Sequence, residues 1–203
     1  MSARPYECAA LLLADPHSRR IALARRDGAL TAPQTRLERS DGLADGPAPA
    51  ISRHRLGCAE SRARAFQDAA LRAVYEELGQ LIARPALMGE RLPSAGGWGR
   101  LARHRLAPDR HALTYLGRAL DPAGYETRRH MRVFAAPLAR VSNSIKRRGR
   151  ADRIVWITPE NAAVALDDPA LSPFLDLALS ALGGRPRPLR VAFRAGQRME
   201  SRL

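Results

Sequence analysis

The densest pattern of apolar and polar positions runs from Glu60 to Gly79. Phe66, Ala70, Val74 and Leu78 recur every four residues and draw one apolar stripe along a helix. Gly79 stands where a helix takes a left-handed stop, so the helix is expected to end at Leu78. Arg72 and Glu76 are four apart and can pair on the surface. Positions 73, 76 and 77 share one face near the helix end. The carboxylates of Glu76 and Glu77, presented together, can hold a hard cation such as Mg2+. A solvated glutamate pair on an amphipathic helix is the plain alternative.

On either side, the pattern alternates between short strands and turns. Cys8 to Ala14 and Arg20 to Arg25 read as a hairpin through Asp15-Pro16-His17-Ser18. Thr31 to Ala50 has little periodicity and reads as loop. Gln80 to Met88 reads as a strand broken around Pro85. Pro93 to Gly99 reads as a glycine-rich loop holding Trp98, which either packs over the core edge or stacks on a ligand. Leu113 to Leu120 and Arg128 to Ala136 read as partner strands joined at Asp121-Pro122-Ala123-Gly124. Ile154 to Ile157 is a further strand, with Trp156 mainly structural. Thr158 caps the next helix, with Pro159 in its first position. Ser172-Pro173 opens the last helix and Gly183-Gly184 stops it. Residues 1–184 are thus expected to form one domain, with 31–59 as a loop insertion. Residues 185–203 are expected to be a basic, flexible tail.

A chain of 203 residues suffices for one compact domain with a full core. The net charge of +14 adds an expectation about partners. Nearly all the cations are arginine, with Lys146 the sole lysine, which fits a GC-rich coding bias as well as a nucleic-acid partner. Arginine-rich surfaces attract phosphates, whether of nucleotides, cofactors or RNA. The run Lys146 to Arg150 reads as a solvated basic loop, with a nucleic-acid contact as the alternative. Cys8 and Cys58 show no metal spacing and read as free thiols in a reducing compartment. No apolar run reaches membrane-spanning length, and Glu7 interrupts any signal-peptide core. The cytoplasm is the expected location.

The stretch Arg72-Ala73-Val74-Tyr75-Glu76-Glu77-Leu78-Gly79 resembles the second half of the Nudix box, Arg-Glu-apolar-x-Glu-Glu-x-Gly. Ala73 stands where the family has its first metal-binding glutamate, Gln80 where it has an apolar residue, and Arg64 where it has an upstream glutamate. Leu37-Glu38-Arg39-Ser40 falls, by order, where the family carries Phe-Pro-Gly-Gly. Arg128, Arg132 and Phe134 match a basic-aromatic strand of long-insert members similar to coenzyme A diphosphatases. The resemblance covers roughly residues 6–183.

It implies an α/β/α sandwich with a mixed β-sheet, the Nudix fold. The chemistry implied is Mg2+- or Mn2+-assisted hydrolysis of a diphosphate linked to a nucleoside or similar group. Glu76 and Glu77 would be the metal ligands and Arg72 would orient them, making these three the catalytic set. Arg128, Arg132 and Trp98 would bind substrate. With Ala73 in the box and both loop glycines replaced, the expectation is weak metal binding and weak or altered hydrolysis. Ala73→Glu would then tighten metal binding. The alternative is a non-catalytic Nudix fold that binds nucleotide or RNA. His130 reads as an ordinary histidine.

Overall fold

A computed structural model describes residues 4–46, 56–142, 149–166, 168–184 and 187–203. The chain opens with β1 (Tyr6–Asp15) and β2 (Arg20–Arg26), the expected antiparallel hairpin. Asp15 closes its turn by accepting hydrogen bonds from the His17 N–H (3.0 Å) and the Ser18 hydroxyl (2.7 Å). Two short strands follow, β3 (Ala29–Thr31) and β4 (Gln34–Arg36). Helix α1 spans Glu60–Leu78 and ends at Gly79, whose φ of 70° is the left-handed stop expected there. Next come β5 (Ala83–Pro85), α2 (Gly96–Ala102) and β6 (Leu106–Pro108). β7 (Thr114–Leu120), β8 (Arg129–Pro137) and β9 (Arg153–Ile157) complete the expected strands. α3 (Pro159–Ala165) and α4 (Leu175–Leu182) lead to β10 (Leu189–Arg194) and β11 (Gln197–Arg202). Pro159 holds the first turn of α3 as expected, but the Thr158 hydroxyl makes no capping bond to its backbone.

The main sheet runs β11-β10-β7-β8-β1-β2-β3, with β4 also paired to β1 and β9 to β2. β1 lies parallel to β8, and β10 parallel to β7, while the remaining pairs are antiparallel, so the sheet is mixed. Alternation along β1 shows the two layers. Ala9, Leu11 and Leu13 point to the side covered by α1, and Cys8, Ala10, Leu12 and Ala14 to the side covered by α3 and α4. This is the expected α/β/α sandwich. Phe66, Ala70, Val74 and Leu78 all lie in the α1-side core, and Trp156 packs half-buried against it. No helix among the described residues is long and apolar enough to cross a membrane.

Three expectations need correction. Residues 31–46 are not plain loop. β4 adds to β1, and the turns after it lie across α1, where the Gly42 N–H donates to Asp68 (2.9 Å). A three-residue strand is too short to show periodicity. Residues 187–203 are not a loose tail, because β10 docks in parallel on β7 and β11 returns along β10. Val191 and Leu189 bury in the α3/α4-side core, which fixes the hairpin despite its charge. Finally, the glycines at 96 and 97 open α2 rather than a loop, and Trp98 is buried on that helix.

Candidate functional site

Helix α1 is buried almost all the way round between positions 63 and 76. Its apolar stripe faces the sheet. Alanines fill much of its flank, and the loop after β4 and the start of α2 lie close to that flank. The closeness of α2 needs glycine: a Cβ at Gly97 would overlap the Arg72 side chain and come within 3.2 Å of Glu76. The charged residues on this face therefore cannot stay in water. Arg72 is 2% exposed, so its pair with Glu76 is buried and not on the surface as expected.

A buried guanidinium needs its five donors satisfied. Arg72 meets that demand with carboxylates and backbone. Nε and Nη2 donate to the two oxygens of Asp41 at 3.1 and 2.9 Å. Nη1 donates to Glu38 at 3.0 Å and to both oxygens of Glu76 at 3.3 Å. Nη2 also donates to the Arg36 carbonyl at 2.7 Å. Burial works against this charge, but Asp41, Glu76 and Glu38 outweigh it and leave Arg72 more basic than an ordinary arginine. Arg72 thus gathers Asp41, Glu38 and Glu76 at one end of α1. One turn earlier a second buried pair repeats the device. Arg110 grips Asp68 at 2.7 and 2.8 Å and donates to the carbonyls of Ala44, Asp45 and Gly46. Together these arginines clamp the loop onto the helix.

The outer side of the acidic end is also occupied by arginines. Arg26 reaches Glu77 at 3.0 Å from β2. Arg150 spans both glutamates, 3.4 Å from Glu76 and 3.5 Å from Glu77. Its backbone is held in place, since the N–H groups of Arg150 and Ala151 donate to the Glu76 and Glu77 carbonyls at 2.9 and 3.0 Å. These bonds satisfy carbonyls that the helix end leaves open. The basic run expected to be solvated thus contributes Arg150 to the site; its residues 146–148 lie outside the described set.

These residues do not fit a divalent ion as placed. Mg2+ needs oxygen ligands converging at about 2.1 Å. Here the Glu76 oxygens face Arg72 and Arg150, and those of Glu77 face Arg26 and Arg150. Ala73 is 0% exposed and supplies no ligand. No group of three His, Cys, Asp or Glu side chains among the described residues is arranged to hold a metal. Three guanidinium groups supply the positive charge that a metal ion would otherwise bring to these carboxylates.

The expected substrate residues are not gathered at this end. Trp98 is 1% exposed inside the α1-side core, so its ring offers no face to a ligand. Arg128, just before β8, donates to the Asp121 carbonyl at 3.3 and 3.1 Å. Arg132 is buried beside Phe66, 4.9 Å from its ring centroid, and donates to the Leu56 carbonyl. Phe66 precedes Arg72 by six residues, about 9 Å of helix rise. β8 is an interior strand, so its charges have no sheet edge to protect. Sequence reasoning missed Glu38, Asp41, Arg26 and Arg150. They come from three separate segments, and none of those segments has a periodicity that points toward α1.

The chain superposes on a NUDIX hydrolase from Alicyclobacillus acidocaldarius with a TM-score of 0.64 at 19% identity, covering 89% of this chain and 91% of that one. It also matches the E. coli ORF135 protein, with a TM-score of 0.48 at 17% identity over 90% and 94% of the two chains. A NUDIX hydrolase from Nitrosomonas europaea gives 0.47 at 13% identity over 90% and 93%. No family model matches the sequence, and no curated protein matches it.

Proposed function

The chain has the Nudix fold, and from that premise we propose that it binds a diphosphate-linked nucleoside or similar small molecule without efficient turnover. One observation carries this reading. The two carboxylates retained from the box are ion-paired by Arg26 and Arg150, and the third position of the acidic face is the buried Ala73. In the hydrolytic reading, a Mg2+ or Mn2+ ion would neutralise charge and activate water. Here arginines already neutralise Glu76 and Glu77, and a ligand's phosphates meet a basic protein without help from a metal. Cys8 and Cys58 are both free thiols, which suits a reducing cytoplasm.

A second reading is slow metal-dependent hydrolysis of the same ligand class. It is favoured by the Arg150 side chain, which is 54% exposed. Exposed ion pairs are worth at most about 1 kcal/mol, so phosphates can draw such a group aside. A panel of nucleoside diphosphate sugars, dinucleotides and coenzyme A separates the two. We expect calorimetric binding without metal, and phosphate or nucleoside monophosphate release no faster than in Glu77→Gln. Metal-dependent release clearly above that variant would establish the second reading. Binding of RNA in place of every small molecule would refute both.

A further inference from the structure

We infer that Arg118, Arg132 and Arg190 form an anion cradle on the α1 side of the sheet, built for the diphosphate group of a small molecule. The inference rests on the proposed function only for the chemistry of the ligand. Register brings the three together from segments far apart in sequence. Arg118 on β7 is the direct partner of Arg132 on β8, and Arg190 on β10 is the direct partner of Arg118. Neighbouring strands lie about 4.8 Å apart, so three cations stand in one row. Like charges directly opposite one another destabilise a sheet.

Nothing among the described residues neutralises the row. No carboxylate is hydrogen-bonded or ion-paired to any of the three arginines, and the nearest in register, Glu7, is ion-paired to Arg62. Of the residues outside the described set only Asp167 is acidic. Arg132 is 3% exposed yet is met only by the Leu56 carbonyl, the Phe66 ring and the Nε2 of His130 at 2.9 Å. Arginine only donates, so that Nε2 accepts and the imidazole is neutral with its proton on Nδ1. Burial, and then Arg132, Arg118 and Arg190, push His130 down to about 4, which agrees. The Tyr115 hydroxyl, close enough to feel Arg132 and Arg118, is buried with no hydrogen-bond partner.

Arg118 and Arg190 border open space, with Arg132 buried beside them. A cavity of about 220 Å³ is lined by Arg118, Arg190, His130, Leu120 and Ala192. A second, of about 470 Å³, adjoins it at Leu120 and His130. A diphosphate carries enough negative charge to answer a row of arginines, and its oxygens suit the planar guanidinium fork. The C-terminal hairpin is thereby part of the site, since it delivers Arg190.

Calorimetry with inorganic pyrophosphate on the full chain tests this. Wild type is expected to bind without metal, with affinity falling steeply as salt rises. Arg118→Gln and Arg190→Gln should each weaken binding roughly tenfold or more, as loss of a charge-assisted hydrogen bond does. Arg198→Gln, a control on β11 whose partners are Glu200 and Ser172, should bind as wild type. Thermal melts in phosphate-free buffer add an independent readout: relief of like charge should leave Arg118→Gln at least as stable as wild type. Equal pyrophosphate affinity in wild type, Arg118→Gln and Arg190→Gln, or no binding by wild type, would overturn the cradle. The proposed function would still stand if nucleoside diphosphates bound in those same variants.

Discussion

At the scale of single residues, the molecule is governed by what buried charge requires. Arg72 is a structural hub, because a 2% exposed guanidinium must be surrounded by acceptors. Glu38 and Asp41 serve it although neither belongs to the box. His130 shows the opposite case, a titratable group set among cations. Burial first, then Arg132, Arg118 and Arg190, hold its folded pKa at about 4, against about 6.5 in an unfolded chain. Between those values the unfolded chain binds a proton that the native one does not. The stability this confers is present at pH 7 and is lost as pH falls from about 6.5 towards 4. Urea midpoints at pH 7 and pH 5 check this: wild type should lose more than His130→Gln. Equal losses would mean that His130 is protonated as freely in the folded protein as in the unfolded chain. The reading of His130 as ordinary in sequence could not have foreseen this, since two of the three arginines reach it by strand pairing.

At the scale of elements, α1 was the most legible part of the chain. Its span, its stop at Gly79 and its stripe of Phe66, Ala70, Val74 and Leu78 followed from spacing alone. The stripe did not say what lay on the other faces. Spacing put positions 73, 76 and 77 together, yet whether that face met solvent depended on a loop and a helix from elsewhere. The outcome reverses one expectation. Ala73 is fully buried, so Ala73→Glu should not complete a metal site. It should bury a carboxylate without a partner and destabilise the fold by roughly 3 kcal/mol or more. A denaturant melt with an unchanged midpoint, together with tighter Mn2+ binding, would restore the earlier reading. Trp98 carries a related lesson. The glycine-rich stretch left Trp98 open between core packing and ligand stacking; here Gly97 lets α2 approach Arg72 and the ring lies in the core.

At the scale of the whole molecule, the sandwich was legible through the resemblance to the Nudix family, while its closing hairpin was not. Residues 189–202 are rich in charge, and the apolar Leu189 and Val191 find their partners only once β7 is in place. Removing residues 187–203 should therefore cost about 3–5 kcal/mol, the burial of two aliphatic side chains, where a flexible tail would cost nothing. Comparing urea melts of the full and shortened chains measures that difference. At the same scale the acidic end of α1 is completed by β2 and by the segment before β9, and both bring arginine. The most direct test is calorimetric titration of Mn2+ into wild type and into the Arg26→Ala, Arg150→Ala double variant. Both side chains are substantially exposed, so the fold should tolerate their loss. If guanidinium groups stand in for the metal, wild type should bind Mn2+ more weakly than about 1 mM and the double variant measurably tighter. Micromolar binding by wild type, unaffected by loss of the two arginines, would contradict the account.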